Sequence, residues 1–489
     1  MANNHQGSIK HGLRIIREMA KVAKVAGVRA AIKLQFRDLD SFIHPKHKEC
    51  SDNKHIPRFL ATRLSEEEFG ALVNEIKRQR LISMATPFDE LSVDMAERLG
   101  VEILKIGSCS ATDWPLLERV VKAGKPVICS TGGLNVSQID RIVSFFQHRG
   151  ARFALMHCVA IYPTPVEKMR LGRIEQLCKR YPGVTVGFST HEDPNNFNVV
   201  QIAYAKGARI FEKHVAVPTK AFKSNAYSAN PKQAAKWLAA LNDAMSMCGN
   251  EEDLAESLSL NSLMRGVYAK KNITIGSKLS RENVYFAIPL LNRQLASGEW
   301  NANMVAGRAY AVDEAIFFEA ASYYAAEFKH LIPNFIHQLK GIIHEAGVPV
   351  GPTPEIELSH HYGLKHFLEW GVAIIDCINR EYCKKILIML AGQKHPIHFH
   401  TKKEEAFQVL YGELIVEMED RERILYPGDV LMVPRGAWHS FYACNGDVIF
   451  EEISTTHYND DSFYADPSIN KIARDERKTR LVNWGRHQI

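Results

Sequence analysis

The sequence predicts an α/β protein in which a (β/α)8 barrel is followed by a small segment and a C-terminal all-β barrel. From Ile9 to about Lys270, short apolar runs alternate with amphipathic stretches of helical period, which is the pattern of parallel βα units. From about Leu387 the period becomes two, and Gly-Asp and Pro-Gly turns separate short strands. With 489 residues, the chain is long enough for two to four domains.

Composition and charge favour an enzyme acting on small molecules over a nucleic-acid or membrane protein. The formal net charge of +6 is small and is not gathered in a long basic run, so small anionic substrates fit better. The nine cysteines include no CxxC pair and read as reduced core residues. Because no run of eighteen apolar residues occurs and MANNHQGSIK lacks a signal-peptide core, we expect a soluble, cytoplasmic protein.

Seven segments of the first half are predicted as strands of the barrel. They are AAIKLQF, LISMATPFD, ILKIGS, PVICSTG, FALMHCV, TVGFSTH and RIFEKHV. Helical stretches such as SVDMAERLG lie between them, and several end at a glycine. The missing strand should be the first, because MANNHQGS reads as the loop and helix start that follow a strand. We expect the true start upstream; the alternative is a barrel closed in another way.

Polar residues follow every predicted strand, where the chemistry of such barrels gathers. They are Lys33 and Gln35, Thr86 and Asp89, Lys105 and Ser108, Lys125, Ser130 and Thr131, His157 and Tyr162, Ser189 and His191, and Lys213 and His214. Lysines inside a barrel are costly unless an anion compensates them, so three of these lysines, with hydroxyls nearby, predict a pocket for a phosphate and a carboxylate. His191 and His214 predict a divalent-metal site with positions left for water and substrate. Any one of these residues could instead face a helix or the surface.

The strand-end motifs resemble those of sialic acid synthases, which condense phosphoenolpyruvate with N-acetylmannosamine or a related sugar. The matching segments are ATPFDELSVD, LKIGS, AGKPVICSTGG, MHCVAIYPTP, GFSTH and FEKH, and NNHQG is similar to the family's first loop. They occur in the family's order over about the first 290 residues. The resemblance implies a phosphoenolpyruvate-dependent transferase of the N-acetylneuraminate synthase type.

The resemblance also implies roles for individual residues. Phosphoenolpyruvate would bind Lys33, Ser108, Lys125, Ser130, Tyr162 and Ser189, and Gln35 and Asp89 are further substrate-binding candidates. His191 and His214 would be catalytic and hold Mn²⁺ or Mg²⁺. In the implied reaction, C3 of phosphoenolpyruvate attacks an open-chain aldehyde polarised by the metal, water adds at C2, and phosphate leaves.

Three positions depart from the family pattern. The glutamate that ends the family's first strand would fall before Met1, and Ala160 stands where the family often has a polar residue. The loop after FEKH reads VPTKAFKSNAYSANP, in which Asn225 and Tyr227 would replace the family's sugar-binding aspartate. The acceptor sugar is therefore left open.

The middle of the chain, SLMRGVYAKKNITIGSKLSRENVYF, is similar to the antifreeze-like domain of sialic acid synthases. There this domain closes over the partner's active site, so the resemblance implies a homodimer with Arg293 as the sugar-binding arginine. The alternative is a structural capping module. We predict four segments: the barrel at 1–250, the antifreeze-like segment at 251–310, a helical linker at 311–384 and the β-barrel at 385–489.

A second metal site is predicted in HPIHFHTKKEEAF. His398 and His400 alternate and so face one side of a strand, and Glu405 begins the next strand. His439 ends the segment GDVLMVPRGAWH. Three histidines and a carboxylate leave two octahedral positions open, which suits Mn²⁺, Fe²⁺, Ni²⁺ or Zn²⁺. The spacing resembles the two cupin motifs at every ligand position.

Within the cupins, this segment is most similar to the D-lyxose/mannose isomerase type. That resemblance implies that Lys403, as a catalytic residue, and Glu405 flank a sugar whose proton moves between C1 and C2. A non-catalytic module that helps the chain dimerise is the alternative, and His360 and His361 are interpreted as structural. For the whole chain, the leading hypothesis is a sialic acid synthase with a fused isomerase. The alternatives are a regulatory or sugar-binding protein on a degenerate barrel, and a synthase of another 2-keto-3-deoxy acid.

Overall fold

A parallel sheet whose strand order follows the chain forms the centre of the first unit, Met1–Glu252. Its strands are β1 (Ala31–Phe36), β2 (Ile82–Pro87), β3 (Ile103–Ile106), β4 (Val127–Ser130), β5 (Phe153–Cys158), β6 (Thr185–Ser189) and β7 (Ile210–Glu212). The computed structural model describes residues 1–48, 53–189, 191–249, 254–317, 321–322, 331–351, 353–419 and 421–484. The seven predicted strands of a barrel-like α/β fold are confirmed.

Helices connect these strands, and local sequence signals set their ends. They are α1 (Ile9–Ala26), α2 (Leu39–Phe42), α3 (Ile56–Ala61), α4 (Glu66–Arg78), α5 (Glu90–Arg98), α6 (Trp114–Lys122), α7 (Val136–His148), α8 (Gly172–Arg180), α9 (Asn198–Ala205) and α10 (Pro231–Met247). Ser8 caps α1 by accepting the His11 amide, and Gly27 ends it in the left-handed conformation. Ser65 and Glu68 form a capping box at the start of α4.

The alternation of side chains along β1 shows how this unit separates its core from its site. Ile32, Leu34 and Phe36 are buried in the core shared with the helices. Lys33 and Gln35 lie on the opposite face of the strand. The polar face of the sheet is thereby available for chemistry.

The sheet is open between β1 and β7, since no backbone pairing joins these two strands among the described residues. The short 3₁₀ helix Ala2–His5 lies at this edge, where Asn4 donates to the Val215 carbonyl at 2.9 Å and to Ser228 Oγ at 3.0 Å. A mainly apolar cavity of about 820 Å³ lies between the two edge strands and the helices α1 and α10.

The second unit, Asp253–Ile489, begins with α11 (Leu254–Asn261) and a small β-rich segment. In this segment β8 (Gly266–Ala269) pairs with β9 (Val284–Ala287), and β10 (Val305–Ala306) pairs with β11 (Ala321–Ser322). Val267, Leu279, Leu295 and Ile316 are part of its separate core. The antifreeze-like assignment of this segment stays a prediction.

Two antiparallel sheets form the rest of this unit, as the period-two pattern predicts. The strands are β12 (Ile356–His360), β13 (Gly371–Asn379), β14 (Tyr382–Met389), β15 (Lys394–Phe399), β16 (Glu405–Tyr411), β17 (Leu414–Met418), β18 (Arg421–Leu425), β19 (Val430–Val433), β20 (His439–Tyr442), β21 (Val448–Thr455), β22 (Phe463–Tyr464) and β23 (Lys478–Leu481). One sheet has the order β19-β16-β21-β14-β13-β12-β23 and the other β18-β17-β20-β15-β22. Phe407, Phe441 and Phe450 pack in a core that both sheets share. The helices are α12 (Leu331–Glu345) and α13 (Pro467–Lys471).

The helical linker predicted for 311–384 is wrong over its second half. The segment after Pro354 holds β12, β13 and the start of β14, which are strands of the larger sheet. Helix α12 precedes them, and its Phe335, Ile336 and Leu339 pack against Ile356 and Leu358 of β12. Polar residues such as Glu357, Ser359 and Asp376 obscure the alternation in this stretch, because they line a polar cavity. No helix in the described ranges is both long enough and apolar enough to cross a membrane.

A buried ion cluster at α4 gives a stability prediction. Glu75 is 6% exposed and accepts hydrogen bonds from Arg78 at 2.8 Å and from Arg17 of α1 at 2.9 Å. Hydrogen bonding from Arg78, and then from Arg17 and Gln79, lowers the pKa of Glu75 from 4.5 to about 2. The ionised form therefore stabilises the folded state above pH 4.5, and this contribution is lost as the pH falls toward 2.

We expect Glu75→Gln to lower the free energy of unfolding by about 2 kcal/mol at pH 7. The difference from the wild type should shrink at pH 3, as measured by thermal unfolding at both pH values. The exposed Glu67 of the same helix supplies the control variant Glu67→Gln. Equal destabilisation by Glu75→Gln at both pH values would show that the carboxylate charge is not what stabilises this contact.

Candidate functional sites

A three-residue ion cluster lies at the carboxyl edge of the parallel sheet. Glu212, the last residue of β7, accepts from Lys33 Nζ at 2.5 Å and from Lys105 Nζ at 2.7 Å. Lys105 is 2% exposed. Burial alone would raise the pKa of Glu212, but the positive charges of Lys105 and Lys33 hold it well below its usual range. One carboxylate thus faces two ammonium groups, and the cluster retains a net positive charge suited to an anion.

Next to this cluster, two histidines and two tyrosines form a group of ring contacts. The rings of His191 and His214 are 5.1 Å apart, and Tyr227 lies 5.4 Å and 5.1 Å from them, respectively. Tyr162 packs on His191 at 4.2 Å. Burial lowers the pKa of His191 to about 4 and the pKa of His214 well below 6.5, so both imidazoles are neutral near pH 7.

Neutral imidazoles are the form that binds metals, and His191 is oriented for that role. Its Nδ1 lies 3.3 Å from the Val159 carbonyl, which can only accept a hydrogen bond. Nδ1 therefore carries the proton and Nε2 keeps its lone pair. The residues fit a divalent ion held by two histidines, with the remaining positions open to water or substrate.

A cavity of about 440 Å³ joins the ion cluster and the ring group. Its lining includes these residues predicted from the sequence: Lys33, Gln35, Ser108, Ser130, Tyr162, Ser189, His191, His214, Asn225 and Tyr227. Ser108 Oγ accepts the Gly132 amide at 2.9 Å, which ties β3 to the loop after β4. The predicted site residues therefore largely meet in one place.

Lys125 does not line this cavity, and its predicted position at the end of a strand is wrong. It precedes Pro126 and β4, so it lies at the amino end of a parallel strand, away from the carboxyl edge. Lys105 lies instead near the carboxyl end of β3 and reaches Glu212. Asp89 is also outside the lining; it caps α5 and accepts the amides of Ser92 at 2.7 Å and Asp38 at 2.9 Å.

Glu212 is the main site residue that sequence reasoning missed, although the motif FEKH contains it. Residues two apart on a strand share a face, so Glu212 belongs with His214 and Lys213 with the opposite face. Lys213 indeed pairs with Glu192 at 2.7 Å, and both side chains are buried. Arg58 and His55 near α3 also line the mouth without having been predicted. Arg293 lies in the second unit, and its role stays a prediction.

The second site lies in the C-terminal β-domain, where His398, His400, Glu405 and His439 are all buried. One ligand atom from each lies within 4.8 Å of the others. His398 and His439 are paired across β15 and β20, which places both side chains on one face of the sheet. The alternation HxH and the antiparallel register together assemble the group.

Each of the three imidazoles is oriented by a backbone carbonyl. Nδ1 of His398 lies 3.0 Å from the Pro396 carbonyl, and Nδ1 of His439 lies 3.0 Å from the Ala437 carbonyl. Nδ1 of His400 contacts the Asp461 carbonyl. Nδ1 therefore carries the proton in all three, which leaves each Nε2 as a ligand atom.

A further observation indicates that these four residues suit a divalent ion. His439 Nε2 and Glu405 Oε2 are 3.2 Å apart and buried, and neither has a hydrogen-bond partner among the described residues. Buried polar atoms without partners are rare unless an ion or water serves them. Three imidazole nitrogens and a carboxylate are a suitable set for a first-row transition metal.

Two further contacts surround this group. Lys403 Nζ contacts Glu405 and lies 2.9 Å from Glu452 Oε1. His361 Nε2 lies 3.1 Å from His395 Nε2, and the His395 ring packs 4.4 Å from His398. A cavity of about 270 Å³ opens onto the group.

Comparison with known proteins identifies both parts. A model described as the NeuB family matches residues 19–253, and a model described as a cupin domain matches residues 385–455. A solved structure from Chromobacterium violaceum, described as a candidate spore coat polysaccharide biosynthesis protein E, is 43% identical with a TM-score of 0.63; the match covers 66% of this chain and 98% of that one. The chain belongs to the NeuB family and carries a C-terminal cupin domain.

Two curated relatives place the likeness in the first part of the chain. An uncharacterized protein of Methanocaldococcus jannaschii is 33% identical over 291 residues, which are 58% of this chain and 82% of the relative. The N-acetylneuraminate-9-phosphate synthase of Drosophila melanogaster is 31% identical over 227 residues. That match spans 44% of this chain and 58% of the relative.

We expect the four clustered residues of the cupin domain, His398, His400, Glu405 and His439, to hold one divalent ion per chain. After loading with Mn²⁺ and desalting, the wild type should contain one more ion per chain than His439→Ala, because the variant lacks one of the four ligands. Elemental analysis measures the metal content. His337→Ala, which changes an exposed histidine of α12, should match the wild type. Equal metal content in His439→Ala and the wild type would contradict the assignment.

Proposed function

We propose that the first unit condenses phosphoenolpyruvate with N-acetylmannosamine or a related aldose, giving a nonulosonic acid and phosphate. The observation that carries this proposal is that Lys33 and Glu212 line one cavity with two neutral histidines, while the buried Lys105 donates to Glu212. Membership of the NeuB family and the synthase named among the relatives support it.

The donor's charges match the cluster. Phosphoenolpyruvate carries a carboxylate and a phosphate, and the two lysines share one carboxylate between them. One positive charge therefore remains for an anion. The hydroxyls of Ser108, Ser130 and Ser189 in the lining can donate further hydrogen bonds to it. Preorganised cations in a cavity lower the energy of charge that develops during reaction.

The acceptor would lie toward the ring group. Asn225 and Tyr227 line the cavity next to His191 and His214 and can donate hydrogen bonds to sugar hydroxyls. A bound Mn²⁺ or Mg²⁺, held by the two histidines, would polarise the aldehyde oxygen. The new bond joins C3 of the donor to the aldehyde carbon, water supplies the oxygen at C2, and the C2–O bond to phosphate breaks.

A lysine pair tests this proposal. Lys105→Met should reduce phosphate release from phosphoenolpyruvate and N-acetylmannosamine at least 100-fold, because it removes a buried cation from the donor site. Lys125→Met, a change of the same type at the opposite end of a neighbouring strand, should retain near wild-type activity. The assay measures inorganic phosphate with Mn²⁺ and a panel of aldoses. No phosphate release by the wild type with any aldose would contradict the synthase assignment.

We propose that the cupin domain isomerises a sugar by moving a proton between C1 and C2. Lys403 contacts both Glu405 and Glu452, so a proton donor and two carboxylates are next to the proposed metal. Burial opposes ionisation, but the charges of Glu452 and Glu405 outweigh it and raise the pKa of Lys403 above its usual value. A positioned acid and base suffice for such a transfer.

Exchange of the C2 proton of mannose or lyxose with D₂O, followed by NMR, tests the isomerase. The exchange should fall at least 100-fold in His400→Ala because the sugar would no longer be held at the metal. His337→Ala is again the matched control. Unchanged exchange in His400→Ala would refute a metal-dependent isomerase.

We propose in addition that the protein acts in the cytoplasm as a homodimer, with Arg293 contributing to sugar binding. The family resemblance supports this proposal. Light scattering of the purified full chain should give about twice the chain mass of 55.2 kDa. A monomer mass at micromolar concentration would refute the dimer.

A further inference from the structure

The cupin cavity is lined by more positive than negative side chains. Five cations face four carboxylates: Lys385, Lys403, Arg474, Lys478 and Arg480 against Glu357, Asp376, Glu405 and Glu452. The balance becomes more positive when a divalent ion is bound, since Glu405 belongs to the metal group. The lining therefore differs from the mostly apolar lining with a few polar groups that is usual in small-molecule sites.

Two of the four carboxylates of this lining, Glu452 and Glu357, are each shared between two cations. Glu452 lies 2.9 Å from Lys403 Nζ and 3.5 Å from Lys385 Nζ. Glu357 contacts Lys478 and lies 3.2 Å from Arg480 Nε. No carboxylate of either pair is left to neutralise a further cation.

Arg474 is such a further cation. Its Nη1 is buried and has no hydrogen-bond partner among the described residues. Its Nη2 lies 3.4 Å from Nε2 of His457, which also lines the cavity. A buried donor atom of a guanidinium is costly to leave without an acceptor, and a ligand could supply that acceptor.

The charge state of His457 agrees with this positive environment. Burial, followed by the positive charges of Lys385, Lys403, Arg474 and Lys478, lowers the pKa of His457 to about 2. The same four cations thus act on one point of the lining, and His457 is neutral at pH 7.

We propose that the cupin domain binds an anionic monosaccharide, one that carries a carboxylate or a phosphate, with Arg474 holding the anionic group. The planar guanidinium can donate two parallel hydrogen bonds to either group. The cavity of about 270 Å³ accommodates one sugar unit. This inference rests on the proposed sugar-binding role of the cupin site and specifies the ligand class.

Calorimetric titration of the Mn²⁺-loaded full chain with four probes tests the proposal: mannose, mannuronate, mannose 6-phosphate and inorganic phosphate. At least one anionic sugar should bind ten-fold or more tightly than mannose. Comparing the affinities for mannuronate and mannose 6-phosphate distinguishes a carboxylate ligand from a phosphate ligand. Tightest binding by inorganic phosphate alone would overturn the proposal, because it would show a phosphate site without sugar recognition.

The variant Arg474→Gln assigns this binding to the cupin cavity and not to the barrel. It should weaken the anionic sugar at least ten-fold and leave the Mn²⁺ content unchanged, whereas Arg474→Lys should keep part of the affinity. Arg423→Gln, on the exposed strand β18, is the matched control and should bind as the wild type does. Equal affinity for mannose and both anionic sugars, no effect of Arg474→Gln, or no sugar binding at all would overturn the proposal.

Failure of this inference is distinguishable from failure of the isomerase. If mannose exchanges its C2 proton and Arg474→Gln does not change the rate, the isomerase proposal stands and the proposal of an anionic ligand is refuted. If an anionic sugar binds in a way that depends on Arg474 but does not exchange its C2 proton, the anionic ligand class stands and the isomerase proposal is refuted. Phosphate release by the barrel is measured independently of both.

Discussion

The half-buried carboxylate of Glu212 is the group on which the barrel site depends. It holds Lys33 of β1 and Lys105 of β3 from the end of β7, and so it links the first and last strands of an open sheet. Without it, the buried ammonium group of Lys105 and the half-buried one of Lys33 would lose the carboxylate they share, at a cost of several kcal/mol. With it, one positive charge remains for a ligand. The same contact therefore serves both the fold and the binding of an anion.

Both sites combine neutral histidines with partly compensated cations. Backbone carbonyls orient His191 in the barrel and all three cupin histidines, which fixes the tautomer before any metal binds. Lysines then lie beside carboxylates that neutralise only part of their charge. Sites of this kind suit anionic, oxygen-rich ligands, which agrees with the sugar chemistry proposed for both parts of the chain.

Sequence reasoning succeeded where a short period or spacing determines geometry. The seven strands of the first unit and the four cupin ligands follow from local patterns, and the structure brings them together as expected. The sequence did not predict the site residues correctly where their position depends on the exact end of a strand. Lys125 lies before its strand and Lys105 near the end of the previous one, and a sequence motif alone does not tell these two positions apart. The segment 356–384 was wrongly predicted as helical because polar residues that line the cavity, such as Glu357 and Asp376, interrupt the usual apolar alternation.

The central claim is that a doubly anionic donor binds against the two lysines that share Glu212. A crystal structure of the protein with phosphoenolpyruvate measures this most directly. We predict donor oxygens about 3 Å from Nζ of both Lys33 and Lys105, with Glu212 still between the lysines. A donor bound elsewhere, or bound with Lys105 turned away from it, would contradict the account.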